Sequence, residues 1–169
     1  MPITRRHFIA LGAATAVSAT LVGTTALVNW WDTTPEEPYQ TLDQHEANVL
    51  RHFAAASFPS GDTIPLDGGK AQLDRFFDTI VLSMTDENRK LLKLLIQAID
   101  KLSLPLHFST FSNLPLSTQR ELLQMWLAHD NHLIRGAIHS LVLLLGMGYT
   151  THPIAAQRLE PSFRCGFGA

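Results

Sequence analysis

The residues of this chain that could do chemistry are mostly histidines, eight of them among 169 residues. Chelating a metal from one helix needs ring nitrogens three or four positions apart, because those side chains stand above one another and converge. His45 and His52 are seven apart, as are His132 and His139, so each pair shares a face but spans two turns. His129 and His132 alone have the shorter spacing, with Asp130 beside them, and they straddle a break between two helical patterns. The spacing favours surface or interface histidines over a metal site. Ser140, His139 and Asp130 make a hydrolytic set on paper, but neighbouring residues on a helix point to different faces. Cys165 has Arg164 beside it, and a nearby cation lowers a thiol pKa. As the only cysteine it forms no disulfide within the chain, completes no Cys-rich zinc module and cannot attach a c-type haem, which needs two. Gly166 and Gly168 precede no helix and so make no phosphate loop.

The elements that would position these residues are helical. Thr41 is placed to cap a first helix with Gln44 three residues on, and Leu42, Val49, Leu50, Phe53 and Ala54 would line its inner face. A break rich in Pro and Gly runs from Phe58-Pro59 to Gly68-Gly69. Leu73, Phe76, Phe77, Ile80, Val81 and Met84 recur at three- and four-residue steps, the clearest amphipathic pattern in the chain. Thr85 or Asp86 would cap a third helix whose inner face is Leu91, Leu92, Leu95, Ala98, Ile99 and Leu102, stopped by Pro105. A loop through Phe108 and Phe111 leads to a fourth helix from about Leu116 to Ala128, presenting Leu122, Leu123 and Trp126. Asp130 or Asn131 would cap a fifth, which is apolar on every side from Leu141 to Leu145 and so lies central in a bundle or against another protein. Arg135 sits among Ile134, Ala137 and Ile138; it is either an exposed arginine or the partner of Asp130, Glu121 or another protein's carboxylate. No strand-like alternation competes. The fold class is all-α, a four- to five-helix bundle.

Before that bundle stands a different kind of segment. Arg5-Arg6-His7-Phe8 opens a run of 24 residues, Phe8 to Trp31, with no Asp, Glu, Lys or Arg. A basic start followed by a mildly apolar stretch is the layout of an export signal, and the paired arginines with Phe8 resemble the twin-arginine signal that sends folded proteins across the membrane. The run also suffices to cross a bilayer, which takes about 20 residues, with Arg5 and Arg6 inside and Trp30-Trp31 at the outer interface. Residues 1–31 are thus a signal or membrane-anchor helix, 32–40 a proline-bearing linker, 41–153 the helical domain and 154–169 a tail. Beyond Arg6 stand 11 basic and 15 acidic residues, so the rest of the chain carries about -4 without a basic run. That charge argues against nucleic acid and anionic lipid as partners.

The exported part resembles the gluconate 2-dehydrogenase third-subunit family, the small subunits of membrane-bound FAD dehydrogenases. The twin-arginine start carries the resemblance, with Leu42 to Phe58 closing on Pro59. So do Phe111, Leu114-Pro115, Arg120, Leu122, Leu123 and Trp126, then Tyr149 with His152-Pro153. It covers about Thr41 to Pro153, and the part from Phe111 on is similar to a helical segment of some GMC-type alcohol oxidases. After Pro153 the chain departs from the family, lacking its Gly-Tyr ending. The resemblance implies a non-catalytic small subunit that binds no cofactor or metal itself. It would escort a folded, FAD-loaded, GMC-type catalytic subunit through the twin-arginine machinery into the periplasm, at the inner membrane. A multihaem cytochrome c, carrying haem c, would complete the complex. Trp126, Arg135, Tyr149 and Pro153 are the residues expected to face the partner, whose own pocket would select among sugars, sugar acids, other alcohols and sterols. The competing expectation is a free-standing, membrane-anchored helical protein that binds a ligand or metal through its histidines.

Overall fold

The computed structural model describes residues 34–159; Arg5, Arg6 and Phe8 of the export segment, and Cys165, lie outside the described residues. The described chain is all-helical, as its periodicities require. Helices α1 (Gln44–Ser57), α2 (Leu73–Leu82), α3 (Asp86–Leu102), α5 (Leu116–Leu127) and α6 (His132–Thr151) form the bundle. A single turn, α4 (Leu104–His107), follows α3, and α7 (Pro153–Leu159) closes the described chain. Short 3-10 turns, Gly68–Lys70 and Phe111–Asn113, interrupt the two long loops.

The first helix is the hub. It touches α2, α3, α5, α6 and both 3-10 turns, which is why Leu50, Phe53 and Ala54 have no solvent exposure. Each such large apolar side chain contributes about 1.5–3 kcal/mol by leaving water. An aromatic file crosses from α1 to α5: Phe53 lies 6.2 Å from Phe111, and Phe111 lies 5.5 Å from Trp126, both tilted. Helix α6 meets α2 at Gly148, where a Cβ would fall 2.3 Å from the Phe76 ring, so only glycine permits that approach.

The start of α1 differs from the expected cap. Asp43 holds the N-cap position, its side chain accepting from Glu46 N at 2.6 Å while Glu46 Oε2 accepts from Asp43 N at 3.1 Å. Thr41 lies upstream because Asp78 of α2 claims that segment. The Asp78 carboxylate accepts the backbone N–H groups of Gln40, Thr41 and Leu42 and the Thr41 hydroxyl. One turn earlier on α2, Asp74 accepts from the Tyr39 hydroxyl and from Arg51 Nε, and Arg51 also donates to the Tyr39 oxygen. The strap from Tyr39 to Leu42 is therefore fastened to α2 by two buried carboxylates.

Another difference lies at the far end. The stretch after Pro153, expected as tail, begins as α7, which packs on α6 and buries Ala155 completely. Pro153 suits a first helical position, and His152 Nδ1 accepts from Ile154 N at 3.3 Å, so the break between helices is only one residue long.

Burial pushes the Asp78 carboxyl up, but its donors outweigh burial and hold it below the ordinary carboxylate value. Its stabilisation is complete above the unfolded carboxylate value of about 3.9 and is lost as pH falls through the lower folded value. Asp78→Asn should lower stability by about 2–4 kcal/mol at neutral pH in urea unfolding, since the amide offers one uncharged acceptor oxygen where the carboxylate offers two charged ones, and its NH2 cannot accept. The difference between variant and parent should shrink on acidification through that window.

Candidate interface between α3 and α6

Helix α3 carries two stripes. Lys93, Gln97 and Asp100 repeat at four- and three-residue steps, and all three are buried. Lys93 Nζ lies 3.5 Å from Glu46 Oε2 of α1 and donates to Thr41 O at 3.2 Å. Gln97 Nε2 donates to the other Glu46 oxygen at 3.5 Å. Asp100, wholly buried, accepts Ser112 N at 3.0 Å and has its second oxygen 3.2 Å from His45 Nε2, a contact without hydrogen-bond geometry. These polar contacts hold α3 to α1 and to the 3-10 turn before α5.

Turning that stripe inward turns the leucines outward, since a helix advances about 100° per residue. The expected inner face is therefore only partly right. Ile99 is buried, Leu92, Leu95 and Leu102 are half-buried, Ala98 is exposed and Leu91 is 63% exposed. Ile96, absent from the expected face, is buried instead. Beside this outward stripe runs α6. The two helices both pack on α1 and α2, and between them lies a groove of about 260 Å³. Leu95, Ala98, Ile99 and Leu102 line one wall, and Leu133, Ile134, Ala137 and Ile138 the other. No hydrogen-bonding side chain lines it.

The outer side of α6 extends the apolar surface, with Leu133 83% and Leu143 70% exposed. By length and composition α6 could cross a bilayer, the only described helix that could. In this fold it packs on α1, α2, α5 and α7. Leu141 and Leu145 enter the core while Leu143 and Met147 do not, so the all-round apolar stretch serves both as core and as outer surface.

Compared with known proteins, the chain matches no family model, no curated protein and no solved structure.

The residues expected to face a partner are placed differently from one another. Trp126 is buried against Phe111 and is part of the core, so it offers no surface. Tyr149 is also buried; it stacks on Phe58 at 4.8 Å and its hydroxyl donates to Leu66 O at 2.7 Å. Burial raises its pKa, with Asp67 adding to the effect. Pro153 is exposed at the start of α7. Arg135 is half-buried and pairs with neither Asp130 nor Glu121: it donates to His129 O at 2.8 Å and lies against His132 Nδ1. Its own helix start satisfies it because the preceding turn folds back within reach.

The histidines are similarly occupied by local structure. His52 Nδ1 lies 3.1 Å from Gln119 Nε2, which also donates to Phe111 O and Leu114 O. His129 Nδ1 accepts from Asn131 N, next to the Asn131 side chain that caps α6. Among the described residues, no three His, Cys, Asp or Glu gather as a metal ion would require. Arg120 Nε and Gln119 Oε1 are buried without hydrogen-bond partners.

Sequence reasoning missed the Glu46–Lys93 pair and the groove it creates. The signal was present as Lys93, Gln97 and Asp100 at helical spacing, a polar stripe beside the apolar one. Lys93→Met should cost about 3–5 kcal/mol in urea unfolding, by leaving Glu46 buried without its cation, and adding Glu46→Leu should restore most of that loss. Leu133→Ser, on the groove's open wall, should change stability by no more than about 0.5 kcal/mol in the same measurement.

Proposed function

We propose that this chain is an exported, non-catalytic small subunit of a periplasmic FAD-dependent dehydrogenase complex of the GMC type. It escorts the folded catalytic subunit through twin-arginine export and stabilises it at the inner membrane. The observation that carries this reading is the open groove. The domain closes a core around α1 yet leaves Leu91, Leu133, Leu143 and the groove walls uncovered, a surface whose apolar character folding does not require. Contiguous exposed apolar surface marks a site of association.

The twin-arginine start and the residues from Leu42 to Pro153 that resemble small subunits of flavin dehydrogenases supply the kind of associate. Twin-arginine export moves folded proteins, so a catalytic subunit could acquire its flavin in the cytoplasm and cross attached to this chain. Flavin chemistry would belong to that subunit, and haem c to a cytochrome subunit that takes the electrons onward. The role of this chain would be binding, and its interface would lie on α3, α6 and the exposed Pro153 rather than on Trp126 or Tyr149.

The test is co-expression with a candidate FAD-dependent catalytic subunit of the GMC type, comparing the parent chain with the Arg5→Lys, Arg6→Lys double variant. Periplasmic flavin-dependent dehydrogenase activity should disappear with the variant while cytoplasmic flavoprotein accumulates. Undiminished periplasmic activity would overturn the escort role.

A further inference from the structure

We infer that the turn α4 dips its apolar tip, Leu104, Leu106 and Phe108, into the interfacial layer of a lipid bilayer. The inference does not rest on the subunit reading and goes beyond it, since it gives the folded domain a membrane contact of its own. The tip is costly to the fold that carries it. Phe108 is 93% exposed and Leu106 58% exposed, with Leu104 and Pro105 exposed beside them. Phe108 also takes φ 52°, in the left-handed region that bulky side chains seldom adopt and glycine enters freely. An aromatic residue that is strained and buries nothing gains the domain no stability by either property, and such outliers cluster at functional sites.

The backbone of the tip suits an apolar medium. Pro105 has no N–H, and those of Leu106, His107 and Phe108 are donated within the turn, to Ser103 O and Leu104 O. The buried Ser103 hydroxyl donates to Ser109 O at 2.7 Å and fastens the far side of the turn. Hydrocarbon supplies no partners for backbone groups, so a tip whose N–H groups are already paired enters it at lower cost. Charge agrees, because the chain has no Asp or Glu from Lys101 to Arg120 and no carboxylate of this stretch must leave water with the tip.

A bilayer fits better than a protein pocket. Protein interfaces surround an apolar anchor with directional hydrogen bonds. Here the nearby polar side chains are engaged with one another or with the turn: Asn113 Nδ2 donates to Thr110 Oγ1, which lies 3.4 Å from Ser112 Oγ, and Ser103 holds Ser109 O. Aromatic and leucine side chains on a projecting turn are what the interfacial layer accepts without such direction. The chain beyond Arg6 carries about -4 and no basic run, so apolar insertion, and not attraction to anionic headgroups, would hold the tip.

The experiment uses the full chain with Cys165→Ser and Leu106→Cys, labelled at position 106 with an environment-sensitive fluorophore. A control chain with Cys165→Ser and Asp62→Cys is labelled in the exposed loop after α1. Each is mixed with phosphatidylcholine vesicles, with and without lipids spin-labelled in their acyl chains. The fluorophore at 106 should shift to the blue and be quenched severalfold by the spin-labelled lipid, while that at 62 stays in water. Phe108→Gly should reduce the quenching at 106 severalfold without lowering Tm, since glycine relieves the left-handed backbone, and Phe108→Trp should keep it.

A fluorophore at 106 that stays in water overturns the inference, whether or not the chain is held on the vesicles. Equal quenching at 106 and 62, or undiminished quenching in the Phe108→Gly chain, overturns it as well. Shielding of 106 only when an FAD-dependent subunit is added upholds the subunit reading and assigns the tip to a protein interface instead. Insertion by the purified chain alone upholds the tip whatever becomes of the dehydrogenase reading.

Discussion

The buried contact between Glu46 and Lys93 is the constraint on which the rest of the domain depends. Taking two charges out of water is costly, and their attraction offsets the cost only when further hydrogen bonds complete the site. Thr41 O, Gln97 and the backbone of Asp43 provide those bonds. With Lys93 fixed toward α1, the rotation of α3 about its own axis is no longer free. Asp100 must then meet the 3-10 turn at Ser112, and Leu91 and Ala98 are left exposed. The ion pair thus helps to decide which apolar surface folding buries and which it leaves exposed.

The same polar layer joins the strap to the bundle. Asp74 and Asp78 receive the strap from one side, and Lys93 holds the Thr41 carbonyl from the other. Asp78 accepts three consecutive backbone N–H groups and a hydroxyl, so the strap's polar backbone is satisfied without a strand or helix. Arg51 reinforces the point: burial lowers its pKa, but Asp74 and Tyr39 more than compensate and keep it above its ordinary value. The segment from Tyr39 to Leu42 is thereby joined firmly to the folded domain.

Much of the architecture was legible from periodicity. The ranges of α2 and α5, the Asn131 cap of α6 and the break around Pro59 to Gly69 all follow from local rules in which apolar residues face inward and Pro or Gly interrupts. What was not legible depended on contacts between distant residues. The Thr41 and Gln44 cap pattern is locally as good as Asp43 and Glu46, and only Asp78, 37 residues away from Thr41, decides between them. The facing of α3 was misread for the same reason: its apolar and polar stripes are both well formed, and only Glu46 on another helix determines which one turns inward. The surroundings of Trp126 and Arg135 were not legible either: Phe111 packs on the one and the His129 carbonyl accepts from the other, contacts that depend on how the intervening turns fold.

The uncovered face of α3 and α6 has a consequence for how the protein must be made. Alone in solution the chain shows neighbouring molecules Leu133, Leu143 and the open groove, and such patches promote aggregation as readily as they promote specific docking. For a chain that acts as the proposed subunit, the cell would need to match its synthesis to that of the catalytic subunit or clear the surplus by proteolysis. Dosage, and not only affinity, becomes a property that the orientation of one buried lysine imposes.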